Sequence, residues 1–246
     1  MEVKPSISII IPAYNEEKYI AECLQSIFLQ NFEKRFEVIV VDNNSKDSTS
    51  KIVSQYPNVV LITELRPGAT VTRNTGAATA QSDILYFLDA DCRLLPGALN
   101  RIIKVFSEDS SLRLVSGPYI YDRDGFFPKF ATDTLHYFSL FHFFFKLFFG
   151  ISQFPGGNFA LKSEYFKQVD GFDETICNQE VILPDDVDLA IRLQKQGKSK
   201  LIFSRKYAVY SSFRRVKKSP IKHTLIRFFA TLQLVLKQKK SSSSRD

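Results

Sequence analysis

Three cysteines, three histidines and no tryptophan leave this 246-residue chain without the material of several common sites. Cys23, Cys92 and Cys177 are far apart and odd in number. They fit neither a disulfide framework nor a zinc spacing, so a reducing compartment is expected. His136, His142 and His223 stand in a phenylalanine-rich stretch and a basic tail, with no nucleophile pattern beside them, and read as packing or surface residues. No glycine-rich turn follows the first apolar run, which excludes the dinucleotide-binding fingerprint. Gly197-Lys198-Ser199 resembles the end of a phosphate loop, but Arg192 occupies the upstream glycine position and the segment follows a helical pattern. Met1-Glu2-Val3-Lys4-Pro5 leads directly into a strand pattern, so no secretory leader is expected. No window of 18 residues is free of charge and histidine, which argues against a clean membrane span.

What is present is an ordinary globular composition, 44% hydrophobic and 24% charged, with an uncommon 23 phenylalanines. The length suits one large domain, or one domain with appendages. The charge is unevenly spread. From Arg205 onward there are twelve Lys or Arg against one acid, whereas the first 204 residues carry 21 bases against 25 acids. The formal +7 is therefore a basic tail on a slightly acidic body, and such a tail suits an anionic surface.

Along the chain, apolar runs at Ser6–Ile11, Phe36–Val41 and Val59–Ile62 read as strands. Helical spacing of Ile20, Leu24, Ile27 and Phe28 separates the first two. Asp47 or Ser48 is placed to cap the next helix. Arg66-Pro67-Gly68-Ala69 introduces a small-residue helix around Arg73–Ala78. The pattern culminates in Ile84-Leu85-Tyr86-Phe87-Leu88-Asp89-Ala90-Asp91, five apolar residues followed by two carboxylates one residue apart. An unalternated run of that length predicts a strand buried on both faces of a parallel sheet. Strands alternating with helices at this rhythm predict a doubly wound α/β fold. Ligands bind outside the carboxyl ends of such strands, and paired carboxylates there can hold a hard divalent ion that in turn holds a diphosphate. A solvated turn with two surface acids would give the same local sequence, so the weight falls on the companion loops.

Four segments at the expected carboxyl side carry Tyr14 and Glu16, Asp42 and Asn44, Arg73, and Asp89 with Asp91. In order, Pro12-Ala13-Tyr14-Asn15-Glu16, Val41-Asp42-Asn43-Asn44-Ser45-Lys46-Asp47-Ser48-Thr49, Arg73-Asn74-Thr75-Gly76-Ala77 and Asp89-Ala90-Asp91 resemble the family-2 glycosyltransferases of the GT-A fold. The resemblance continues through Gly156-Gly157-Asn158-Phe159-Ala160 and Val169-Asp170-Gly171-Phe172-Asp173-Glu174 to Pro184-Asp185-Asp186-Val187-Asp188, roughly the first four-fifths of the chain. It implies a Rossmann-like, mostly parallel sheet over residues 1–218, with a nucleotide-sugar half to about residue 92 and an acceptor half from about 93. Residues 219–246 would form a basic amphipathic helical tail.

The resemblance also implies roles. Pro12, Ala13, Tyr14, Glu16 and Asn44 would line the donor pocket, and Asp42 would accept a hydrogen bond from the base ring. Arg73 and Ala90 would lie beside the donor, Asp89 would reach the ribose or the metal shell, and Asp91 would ligate Mg²⁺ or Mn²⁺. Gly156, Gly157 and Asn158 would flank the acceptor. Asp186 is expected to be the general base, with Asp185 the second candidate. Adjacent like charges at a helix start would raise one pKa and suit proton abstraction. Many relatives carry a histidine on a late strand; here Val209-Tyr210-Ser211-Ser212-Phe213-Arg214-Arg215 has none, and Arg214 and Arg215 are expected to bind the diphosphate by charge. Val169-Asp170-Gly171-Phe172 has Asp where a second Gly is commoner, which bears on the geometry of the acceptor loop.

The expected activity is inverting transfer of a sugar from a nucleoside-diphosphate sugar to a hydroxyl acceptor, with lipid-linked and polysaccharide acceptors both in view. A phenylalanine-rich segment at 126–154 reads either as a buried helix behind the acceptor site or as an interfacial helix. Ile221, Leu225, Phe228, Leu232 and Val235 recur at helical spacing among lysines and arginines, which predicts attachment to an anionic membrane surface. The expected place is cytoplasmic, on the inner face of the membrane. The alternatives are a sugar-nucleotide-binding membrane module without activity, and a nucleotidyltransferase, which would want a glycine-rich, lysine-bearing first loop. A nucleic-acid partner would explain the tail but not four loops of acids.

Overall fold

The structure, a computed structural model, describes residues 4–121, 147–148, 154, 156–176, 185–195, 200–212 and 229–233. Its centre is a seven-stranded sheet. β1 (Ser8–Ala13), β2 (Glu37–Asp42), β3 (Val59–Thr63) and β4 (Ile84–Leu88) run parallel in the order β3-β2-β1-β4. Beyond β4 come β8 (Asn158–Lys162), β6 (Leu112–Ser116) and β9 (Lys200–Phe203). β8 is antiparallel to both β4 and β6, and β9 is parallel to β6, so β8 alone reverses the common direction. A smaller sheet, in the order β5-β10-β7, joins β5 (Cys92–Leu94), β10 (Val209–Ser211) and β7 (Tyr119–Tyr121).

The continuous apolar runs are explained by helices on both faces. Ile9, Ile11, Val38, Val40, Tyr86 and Leu88 face one core with α1 (Ile20–Phe28) and α4 (Ala98–Glu108). Ile10, Leu85 and Phe87 face the other, with α3 (Ala69–Thr79), α5 (Ser163–Gln168) and α6 (Asp185–Lys195). The second core uses much of the phenylalanine excess. Phe87 stacks on Phe159 at 4.9 Å between centroids, and Phe154, Phe166 and Phe172 close around the pair. α3 lies close on the sheet because residue 76 is glycine: a Cβ there would sit 2.5 Å from Ile10 Cγ2 and 3.1 Å from Val41 Cγ2. α2 (Thr49–Val53) is a single short helix.

Two local expectations are refined. The first strand begins at Ser8 and runs on through Pro12 to Ala13 instead of stopping at Ile11. β1 pairs with β4 only over Ser8–Ile10, so the two strands part beyond that point and the missing proline N–H falls where one ladder has ended. Of the two capping candidates, Asp47 does the work: its Oδ1 accepts from the Thr49 N–H at 3.0 Å and hydroxyl at 2.5 Å, while Ser48 makes no side-chain cap.

The strand order places the ligand crevice. From β1 the chain winds one way through β2 and β3, then crosses back to β4 on the other side of β1. The carboxyl ends of β1 and β4 are thus the switch point, where helices leave to opposite sides and a cleft remains. No helix among the described residues is long and apolar enough to cross a membrane. The phenylalanine-rich segment, apart from residues 147–148 and 154, and the tail, apart from 229–233, lie outside the described residues.

Candidate active site

A cavity of about 650 Å³ opens at that switch point. Pro12, Ala13, Tyr14 and Glu16 line it from the β1 side, Asn44 from the β2 loop, and Arg73, Asp89 and Ala90 from its floor. All of these were expected from the sequence. The opposite wall, Leu65 and Pro67 to Ala69, was not. Tyr14 is 58% exposed, with its ring free to meet a flat ligand.

The donor-side loops are fixed by backbone capture. Asn15 and Asn44 both hold left-handed φ, at 55° and 57°, a region that asparagine tolerates better than most residues. The Asn15 N–H donates to Ser45 Oγ at 2.9 Å, and its Oδ1 accepts from the Lys46 N–H at 2.8 Å. The Glu16 N–H donates to Thr49 Oγ1 at 2.8 Å. These bonds tie the β1 and β2 loops to each other. Asp42, buried at the end of β2, accepts from the Ser45 N–H and hydroxyl and does not line the cavity. Asn43 braces the far wall: its Nδ2 donates to the Glu64 and Arg66 carbonyls, and its Oδ1 accepts from the Gly68 N–H.

Arg73 joins this half to the other. It lies in the second turn of α3 and is nearly fully buried. Its Nη1 donates to Asp185 Oδ2 at 2.8 Å and its Nη2 to Asp89 Oδ1 at 3.1 Å, with the Phe172 ring 5.5 Å from its guanidinium carbon. Burial works against its charge, but Asp185 and Asp89 hold it protonated even more firmly than an ordinary arginine. Asp185 is thus engaged by a cation. Asp186 is 1% exposed and lies against Gly156, where a Cβ would meet its carboxylate at 3.3 Å. Its Oδ1 accepts from the Val187 N–H at 2.9 Å in the first turn of α6.

The glycines of the 156–158 segment are cut to fit the acids. Any Cβ on Gly157 would collide with the Asp89 carboxylate, and the Gly157 N–H donates to the Tyr119 hydroxyl at 2.9 Å. Asn158 is committed to the fold: it accepts from the Tyr86 hydroxyl and donates to the Gly117 and Tyr207 carbonyls. Asp170 and Gly171 both hold left-handed φ, 56° and 67°, so glycine would be natural at either and aspartate is tolerated at the first. Arg214, Arg215 and Pro184 lie outside the described residues.

Asp91 directly follows the lining residues Asp89 and Ala90 but, at 9% exposure, does not itself line the cavity. Ser212 reaches it from the end of β10, donating from Oγ to Asp91 Oδ2 at 2.6 Å. Neither Ser212 nor Tyr119 was singled out as a site residue from the sequence. The stretch around Ser212 was read for its missing histidine and for Arg214 and Arg215, and no motif surrounds Tyr119.

The site suits a divalent cation whose shell the ligand helps to complete. Among the described residues no cluster of three or more His, Cys, Asp or Glu forms a full protein cage. Mg²⁺ does not need one, since one or two carboxylates plus phosphate oxygens and water are its usual set. After burial itself, Asp91 and Asp89 push the Cys23 thiol up, and the same two acids add to burial in raising the Cys92 thiol and the Tyr119 hydroxyl. The carboxylates of Asp89 and Asp91 are the hard oxygen donors that Mg²⁺ or Mn²⁺ takes.

Residues 8–170 match the family model Glycosyl transferase family 2. Glycosyltransferase AglE of Haloferax volcanii is 43% identical over 94 residues, covering 36% of this chain and 31% of that protein. The chain thus spans about a third of this relative's length. Among solved structures, mannosyltransferase PcManGT from Pyrobaculum calidifontis, in complex with GDP-Man and Mn²⁺, superposes with a TM-score of 0.66 at 19% identity, covering 97% of this chain and 76% of its own. S. aureus TarS 1-349 in complex with UDP gives 0.64 at 20% identity, covering 84% and 60%. The fold is the GT-A fold, with its mostly parallel central sheet.

Proposed function

The chain belongs to glycosyl transferase family 2, and on that premise we propose that it transfers a sugar, with inversion, from a nucleoside-diphosphate sugar to an acceptor hydroxyl. The observation that carries this reading is the Arg73 bridge, which sets the acids after β4 against the acids that open α6 across one cleft. Neighbours of the same fold hold UDP or GDP-Man, which supports a nucleotide-sugar donor here.

In this mechanism the nucleoside enters between Tyr14 and the wall from Leu65 to Ala69, with its diphosphate above Asp89 and Ala90. Asp91, with Asp89, would hold Mg²⁺ or Mn²⁺, which would stabilise the charge on the departing nucleoside diphosphate. Asp186 takes the proton from the acceptor hydroxyl as it attacks from the side opposite the diphosphate, which inverts the anomeric centre. Asp185 is the poorer base because its carboxylate is engaged by Arg73. Gly156, whose Cβ would lie 3.3 Å from the Asp186 carboxylate, would flank the acceptor beside the base. Arg214 and Arg215 follow Ser212 closely in the chain and would add positive charge at the diphosphate. The basic tail from 219 would hold the enzyme on an anionic cytoplasmic membrane face, where a lipid-linked acceptor is within reach.

Release of nucleoside diphosphate from a panel of sugar nucleotides, with and without Mn²⁺, tests the proposal. Metal-stimulated release from one donor supports it. Donor binding without release from any member, with or without metal, would leave a binding module instead. Sedimentation with anionic liposomes, lost at high salt and on removal of residues 219–246, tests the membrane arm.

A further inference from the structure

We propose that Ser212 is the positioning residue for the metal-facing carboxylate of Asp91, an inference that rests on the metal reading above. The placement is set by strand pairing. β10 runs antiparallel to β5 with Ser211 opposite Cys92, so the next residue out, Ser212, falls opposite Asp91. Two bonds then form between the same pair of residues. The Ser212 N–H donates to the Asp91 carbonyl at 3.2 Å, and the Ser212 hydroxyl donates to Asp91 Oδ2 at 2.6 Å. The Cys92 thiol makes only a long contact, 3.9 Å, with the other oxygen, Asp91 Oδ1. The backbone bond fixes where Asp91 is; the hydroxyl bond fixes how its carboxylate is turned.

That turn matters for a cation. A carboxylate with 9% exposure has little water to orient it, and a wrong rotation about its last torsion would aim both oxygens away from an incoming ion. A hydroxyl on Oδ2 defines the plane of the group and presents Oδ1 in a fixed direction. It is an outer-shell hydrogen bond to a ligating carboxylate, of the kind whose removal typically weakens metal affinity by about 10–100-fold. The hydroxyl is neutral, so it orients without cancelling the negative charge that attracts the ion.

The test compares Ser212→Ala, Ser212→Thr and Asp91→Asn as full-length chains. Mn²⁺ alone is titrated into each and the free ion followed by electron paramagnetic resonance. Ser212→Ala is expected to bind Mn²⁺ about 10–100-fold more weakly and Ser212→Thr nearly as well as the parent. In nucleoside diphosphate release, Ser212→Ala should need correspondingly more Mn²⁺ for half-saturation yet reach nearly the parental plateau. A residue that merely supported the fold would lower the plateau and the melting temperature together, and that outcome overturns the proposal. So does unchanged Mn²⁺ affinity in Ser212→Ala where Asp91→Asn has lost binding; the metal reading then stands without Ser212. If Asp91→Asn binds Mn²⁺ like the parent, the metal reading itself fails.

Discussion

The two halves of the molecule hold their site residues in different ways. From β1 to β4 the site residues stand at or next to strand and helix ends, and the loops are bound to their immediate neighbours. Asn15 bonds Ser45 and Lys46, Glu16 bonds Thr49, and Asn43 bonds Glu64, Arg66 and Gly68. Beyond β4 the site is assembled across long sequence distances: Gly157 lies under Asp89, Ser212 on Asp91, and Asp185 on Arg73. The first half is a preformed cradle that depends on local chain geometry. The second exists only when distant strands and α6 have docked, so it can be damaged without touching the cradle.

The sharpest break in that comparison is Asp186→Asn. It should lower turnover on the order of 10²–10⁴-fold while nucleotide-sugar affinity, measured by calorimetry, stays near that of the parent. If Asp185→Asn is the silent variant and Asp186→Asn the active one, the assignment of the base is reversed. Next comes Arg73→Ala, which strikes the joint between the halves. It leaves the part-buried Asp89 and Asp185 without their shared cation and should destabilise the fold by about 2–3 kcal/mol, less than a fully buried pair would cost, read as a lower urea midpoint. A smaller effect is expected within the cradle. Asn43→Ala removes three bonds to the wall of the cavity and should weaken donor affinity about tenfold, with turnover at saturating donor little changed. The smallest concerns pH. Hydrogen bonds from Arg66 and Thr75 pull the Glu64 carboxyl down to about 2 from an ordinary 4.5. With the folded pKa depressed, this contribution is complete above pH 4.5 and is lost as pH falls through about 2. Glu64→Gln should therefore flatten the fall of stability in that window, as followed by urea midpoints.

The same contrast decides what could be read from the sequence. The cradle was legible because each of its motifs lies within a few residues of a strand end: five apolar residues then Asp89-Ala90-Asp91, or Val41-Asp42 then a run of polar turn formers. The alternation of helix and strand gave the doubly wound sheet, and Asp185-Asp186 before an apolar periodic stretch gave the start of α6. The long-range partners left no local trace. Nothing near Tyr119 says that its hydroxyl will meet the Gly157 N–H, and nothing near Ser212 says that β10 will pair with β5. The reversal at β8 was equally silent, because Asn158–Lys162 is as apolar as a parallel core strand and direction is set by the connection before it. Pro12 misled for a related reason. A proline normally ends a central strand, but here the neighbouring strand has already turned away.

The reversed strand also has a consequence for how the chain reaches this shape on the ribosome. β8 fills the gap between β4 and β6, and the nearest partners it shares with β4, Leu88 and Asn158, are about seventy positions apart. During synthesis at about 5–20 residues per second, β4 waits on the order of ten seconds with one edge unpaired. For that interval Leu85 and Phe87 present a bare hydrogen-bonding row on a strand whose side chains are built for burial, the kind of edge that recruits other chains. Nascent protein arrested between residues 92 and 157 should therefore be the aggregation-prone species and the natural client for a chaperone, and the arrival of Asn158-Phe159-Ala160-Leu161-Lys162 the event that releases it.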